Sequence, residues 1–152
     1  YKSSRLLIVE RIITKSFARL MVRGTHRGFM TYEETVWVKN DEPIQEDKRV
    51  AIFKDRHPVV TSHLLFIPKE NTNACIAYAY KKALDWAETW ILVGGIDGVN
   101  IGQNIGVAAG QSVMWPHIHF IPREKGDCKE NVSNGIRLSH PGGVQINELR
   151  TQ

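Results

Sequence analysis

One helical stretch set between short apolar runs constrains this chain more than any other feature. Ile76, Tyr80, Ala83, Leu84, Ala87 and Ile91 recur at helical spacing, and Asn73 stands where it can cap the first turn. Before them lie "RVAIFK" (residues 49–54) and "HLLFIP" (residues 63–68), apolar runs of the length of buried strands, the second stopped by its proline. After them come "GVNIG" (residues 98–102) and the apolar end of "QSVMWPHIHFIPR" (residues 111–123), two further strand candidates. Residues 31–41, "TYEETVWVKND", read as another strand closing in a turn. Strands, one helix and strands again predict an α+β domain, with the helix covering one face of an antiparallel sheet.

A chain of 152 residues holds one domain with a full core and is too short for two ordinary ones. The apolar share of 42% and charged share of 24% fit a soluble globular protein, and no apolar run approaches the ~18 residues that span a bilayer. Cys75 and Cys128 lack CxxC spacing and allow at most one bridge, so a reduced, cytoplasmic setting is expected. The net charge of +4 is concentrated: residues 1–30 carry seven Lys or Arg against the single acid Glu10, leaving the remainder slightly acidic. Leu6, Val9, Ile13, Phe17 and Leu20 fall opposite Arg11, Lys15, Arg19 and Arg23 on a helical wheel. A basic amphipathic helix of that kind could meet nucleic acid or an anionic surface, or simply pack on the core with its charges in water. Ile8, Val9, Ile12 and Ile13 leave a strand possible there. The chain thus divides into a basic N-terminal extension (1–42), a core (43–123) and a Gly/Asn-rich tail (124–152).

The chemistry concentrates in residues 111–123. In a strand, residues i and i+2 share a face, so His117 and His119 point together while Ile118 and Phe120 face the core. Position 115 would share the histidine face and is Trp115. Pro116 lacks an N–H, which puts this end at an edge or just before pairing begins. The preceding loop is rich in glycine, so its backbone N–H groups can approach an anion, with Asn104, Gln111 and Ser112 as added donors. A donor cradle beside an imidazole is what a histidine attacking phosphorus requires. Two other readings stay open on the residues alone. The histidines could be structural, or they could bind metal, since His117, His119 and Glu124 follow a spacing similar to the first cupin motif and "GIRLSHPGG" echoes the second. That match carries one extra residue in its first spacing and has Ile146 where the last histidine is expected.

Two blocks together resemble the histidine triad family. "NIGQNIGVAAGQSVMWPHIHFIPR" (residues 100–123) is similar to its alternating-histidine signature, and "VAIFKDRHPVVTSHLLFIPKEN" (residues 50–71) to its N-terminal block, with serine for glycine before His63. The resemblance implies a histidine triad-like antiparallel sheet with its central helix on one face. It also implies a nucleotide hydrolase or nucleotidyl transferase needing no cofactor, and a homodimer. It gives His117 the role of nucleophile toward the α-phosphate, passing through a nucleotidyl-histidine. His119 becomes the third histidine, and Trp115 replaces the first. It further implies a ribose contact from Asp55, support from His63, and phosphate contacts from Asn104, Gln111 and Ser112. The expected substrate is an adenine or other purine nucleotide bearing an ester, anhydride or phosphoramidate leaving group. In the family the nucleophile's tautomer is held by a backbone carbonyl at the first triad position. Trp115 still supplies a carbonyl, so chemistry is expected to survive with an altered leaving-group preference or a reduced rate. A nucleotide-binding protein without efficient catalysis is the alternative.

Overall fold

Four of the apolar runs pair into one sheet, in a computed structural model that describes residues 30–127 and residue 136. In chain order the elements are α1 (Val36–Asn40), β1 (Gln45–Glu46), β2 (Val50–Lys54), β3 (Leu64–Pro68), α2 (Asn73–Leu92), β4 (Gly98–Gly102) and β5 (Ile118–Arg123). Single 3-10 turns lie at Tyr32–Glu34 and Val107–Ala109. The strand order is β1-β2-β3-β5-β4, and every neighbouring pair is antiparallel. The α+β class, the sheet and its central helix are therefore as the sequence pattern requires, and the short β1 is an addition to it.

The register explains why the sheet has two unlike faces. Val50, Ile52, Leu64, Phe66, Ile118 and Phe120 project to one side and are buried with Ala79, Ala83 and Ala87 of α2. Phe66 meets Trp86, and Phe120 meets Trp90, edge to face at 5.5 and 5.6 Å. Each such pair is worth about 0.5–1.5 kcal/mol beyond its buried area. The alternate residues Ala51, Phe53, Leu65 and Ile67 project to the other side, where Trp37 of α1 and Trp115 complete a second cluster. His119 pairs with Leu65, so it stands on that second face, away from the long helix.

Three local expectations are corrected. Residues 31–41 form a 3-10 turn and α1, not a strand. The Thr35 hydroxyl donates to the Tyr32 carbonyl at 2.7 Å, closing a local turn, and the helical turn sinks Trp37 while Val36 and Val38 stay at the surface. The face of α2 nearest the sheet is Cys75, Ala79, Ala83 and Ala87; Leu84 and Ile91 are exposed. Small side chains let the helix lie close to the strands, and the aromatic residues of the helix fill the flanks. The cap is Thr72, whose hydroxyl accepts the Cys75 N–H at 3.2 Å, with Asn73 the first helical residue. The Cys75 thiol is free, buried and bonded to the Arg49 carbonyl. The basic helix proposed within residues 6–23, Cys128 and His140 lie outside the described residues. No helix among the described residues is long and apolar enough to cross a membrane.

Candidate active site

Pairing of β3 with β5 brings His63, just before β3, against His119, 56 residues later in the chain. His117 sits one step before β5, where Trp115 and Pro116 keep the backbone out of the sheet until Ile118. The buried carbonyl of Trp115 lies 2.8 Å from His117 Nδ1. A carbonyl only accepts, so Nδ1 carries the proton and Nε2 keeps its lone pair. No described residue hydrogen-bonds that Nε2. His117 is only 4% exposed, its ring flanked by Trp37 at 5.0 Å and by His119 at 5.1 Å between centroids.

A second chain of hydrogen bonds fixes His63 and His119. The Val59 N–H donates to His63 Nδ1 at 3.3 Å, which places the His63 proton on Nε2. That N–H faces His119 Nδ1 at 3.0 Å, so the proton of neutral His119 resides on its own Nε2. Burial, reinforced by His117 and His63 nearby, lowers the His119 pKa to about 4 against the pull of Asp55. Burial likewise lowers that of His63, with Asp55 opposing. Asp55 anchors the group: its backbone N–H donates to the His63 carbonyl, Oδ1 accepts the His57 N–H, and Oδ2 lies 3.4 Å from His63 Nε2 and 3.7 Å from His119 Nδ1. In its neutral form His117 thus presents a bare imidazole nitrogen, and neutral His119 presents an N–H donor.

A cavity of about 380 Å³ opens beside His119, lined by His63, Asn104, Gly102, Val59 and Ile121 among others. Gly102 stands opposite His119 in the β4–β5 register, and a Cβ there would meet nothing. The missing side chain keeps the space beside the imidazole open. The loop from β4 to β5 turns on Gly106 and Gly110, both at φ 84°, a region that L side chains rarely adopt. Gln111 braces this loop: its Oε1 accepts the Gly106 N–H and its Nε2 donates to the Val113 carbonyl. Ser112 is exposed, and Asn104 is half-buried.

The indole of Trp115 turns away from the cavity. Its Nε1–H donates to the Pro68 carbonyl at 2.8 Å, and the ring packs in the second cluster. The cupin-like grouping of His117, His119 and Glu124 is not formed: Glu124 is exposed beyond β5, and the sheet is open with a 20-residue helix upon it. Among the described residues, the side chains whose ligand atoms could jointly hold a metal are Asp55, His63 and His119. Sequence reasoning missed Trp37, Val59 and Gly102. For Trp37 the available signal was a tryptophan between two valines, which strand periodicity alone would not bury.

The family profile of the HIT domain matches residues 38–126. An adenylylsulfatase of Arabidopsis thaliana is 32% identical over 92 residues, 56% of this chain and 47% of the relative. An asymmetrical bis(5'-nucleosyl)-tetraphosphatase of Schizosaccharomyces pombe is 32% identical over 91 residues, 55% of this chain and 50% of the relative. The chain therefore spans about half the length of these two relatives. The crystal structure of a Zn-bound histidine triad family protein from Mycobacterium smegmatis superposes with a TM-score of 0.52 at 31% identity, covering 56% of this chain and 67% of that one.

Proposed function

Because the chain belongs to the histidine triad (HIT) family, whose members include nucleotide hydrolases, we propose that it is a nucleotidyl hydrolase or transferase with His117 as its nucleophile. The observation that carries this reading is the 2.8 Å bond from His117 Nδ1 to the Trp115 carbonyl, which frees Nε2 for attack. Replacing the first triad histidine by tryptophan leaves that carbonyl in place. The names of the two relatives denote cleavage of an anhydride in a nucleotide, which agrees with a substrate whose α-phosphate carries a good leaving group.

In the proposed reaction the Nε2 lone pair of His117 bonds to the α-phosphorus as the bond to the leaving group breaks, an anhydride partner departing as an anion and a phosphoramidate nitrogen as the amine with a proton taken from solvent. The His119 Nε2–H donates to a phosphoryl oxygen as charge builds there, and Ser112 and loop N–H groups hold the others. Asn104 and Gln111 shape the loop that supplies them, and Asp55 meets the ribose. Water then adds to phosphorus, the P–Nε2 bond breaks, a proton leaves to solvent, and the nucleoside monophosphate departs. If another acceptor replaces water, the outcome is transfer. We expect a homodimer, with β4, an edge strand among the described residues, placed to extend the sheet.

Incubation with adenosine phosphoramidate and with dinucleoside polyphosphates tests this. Wild type should release AMP, and His117→Ala should not. Equal trace release from both would sink the enzyme reading and favour a binding protein.

A further inference from the structure

One neighbour of the nucleophile comes from α1, about 80 residues earlier in the chain. Trp37 lies in α1, one residue before the matched region begins, and is 3% exposed. Its ring centroid is 5.0 Å from that of His117, with the planes tilted by 53°. A single hydrogen bond to the Trp115 carbonyl leaves an imidazole free to swing about that bond. His119 contacts the ring edge to face, and Trp37 limits the swing from another direction. Trp37 is itself buried in one cluster with Trp115, Phe53, Leu65 and Ile67, which packs it in place.

The contact also has an electrostatic consequence. When Nε2 bonds to phosphorus while Nδ1 keeps its proton, both ring nitrogens are substituted and the ring carries positive charge. The charge exists in the nucleotidyl-enzyme and develops on the way to it, but is absent from the resting imidazole. An indole attracts a cation that lies over its face within ~6 Å of its centroid, and tryptophan does so best of the aromatic residues. Stabilisation that appears only as the bond forms raises turnover and leaves substrate binding alone.

We propose that Trp37 is a positioning residue that holds the His117 ring for attack and favours the charge the ring takes up. The inference rests on His117 being the nucleophile, and its test separates the two. Trp37→Met keeps an apolar side chain without a ring, Trp37→Phe keeps a ring, and Trp37→Leu serves if the Met variant does not fold. In the full chain with adenosine phosphoramidate, Trp37→Met should lose roughly 10-fold in kcat with KM little changed, and Trp37→Phe should recover most of it. Long-range 15N–1H spectra of His117 in ligand-free protein should show the Nδ1–H tautomer alone in wild type and Trp37→Phe. The Met variant should show a mixture. Wild-type kcat in Trp37→Met, equal loss in the Phe variant, or a loss confined to KM would overturn the proposal. Wild-type protein lacking His117-dependent turnover would refute the nucleophile instead, and the tautomer spectra would still decide whether Trp37 fixes the ring.

Discussion

Trp115→Phe separates the two jobs that one residue does here. The indole N–H is bonded to the Pro68 carbonyl at 2.8 Å, and both residues are buried. Val50, opposite Pro68 in the sheet, sends its own N–H to Asp47, so it offers no replacement donor. Phenylalanine would strand that carbonyl, at a cost of about 1–3 kcal/mol. The smaller ring also leaves space among Trp37, Phe53, Leu65 and Ile67, adding about 1 kcal/mol. The sum, about 2–4 kcal/mol, corresponds to a melting temperature lower by roughly 5–15 °C in a chain of this size. The carbonyl that accepts from His117 belongs to the backbone and survives the change. Turnover per folded molecule, measured well below the new melting temperature, should therefore fall by less than about 10-fold, or 1.4 kcal/mol of barrier. Calorimetry and steady-state assays on the same preparation check both halves. A variant as stable as wild type would refute the packing argument. A folded variant with turnover lower by more than about 100-fold would show that the indole, not the carbonyl, arms the nucleophile.

Two further outcomes follow from the site. Gly102→Val should fold, because a Cβ at this position meets nothing, yet crowd the cavity beside His119 and raise KM several-fold; unchanged KM would remove the cavity from the substrate path. Stability should also depend on pH through His119, whose pKa is about 4 when folded and near the ordinary 6.5 when unfolded. Below pH ~6.5 the unfolded chain takes up the proton first, so stability is complete above that point and declines until His119 itself protonates near pH ~4. The loss should reach about 1–3 kcal/mol in urea titrations, and His119→Gln should shrink it to the part His63 supplies; a flat wild-type profile over that window would contradict the neutral histidine pair.

The sheet was legible because β2, β3 and β5 announce themselves as apolar or alternating runs that end at proline or polar residues. The covering helix was legible from its periodicity, but not its buried line. Hydrophobicity favours large residues such as Leu84 and Ile91, whereas close approach to a sheet selects Ala79, Ala83 and Ala87. Within the site, the shared face of His117 and His119 follows from strand geometry alone. The meeting of His63 with His119 depends on which strands pair, and no local signal carries that; only the family resemblance brought His63 forward. Trp37 was hidden for a similar reason. Its segment has β-branched neighbours that suggest a strand, and its burial comes from a second cluster that exists only once β2, β3 and Trp115 are assembled.

The stereochemical course at phosphorus distinguishes the proposed covalent nucleotide on His117 from direct hydrolysis by water. Two displacements, the first by His117 Nε2 and the second by water, invert the α-phosphorus twice. A substrate chiral at that atom through sulfur and oxygen isotopes should therefore give a product with retained configuration. Inversion would mean that water attacks the substrate in one step, and His117 would not be the nucleophile.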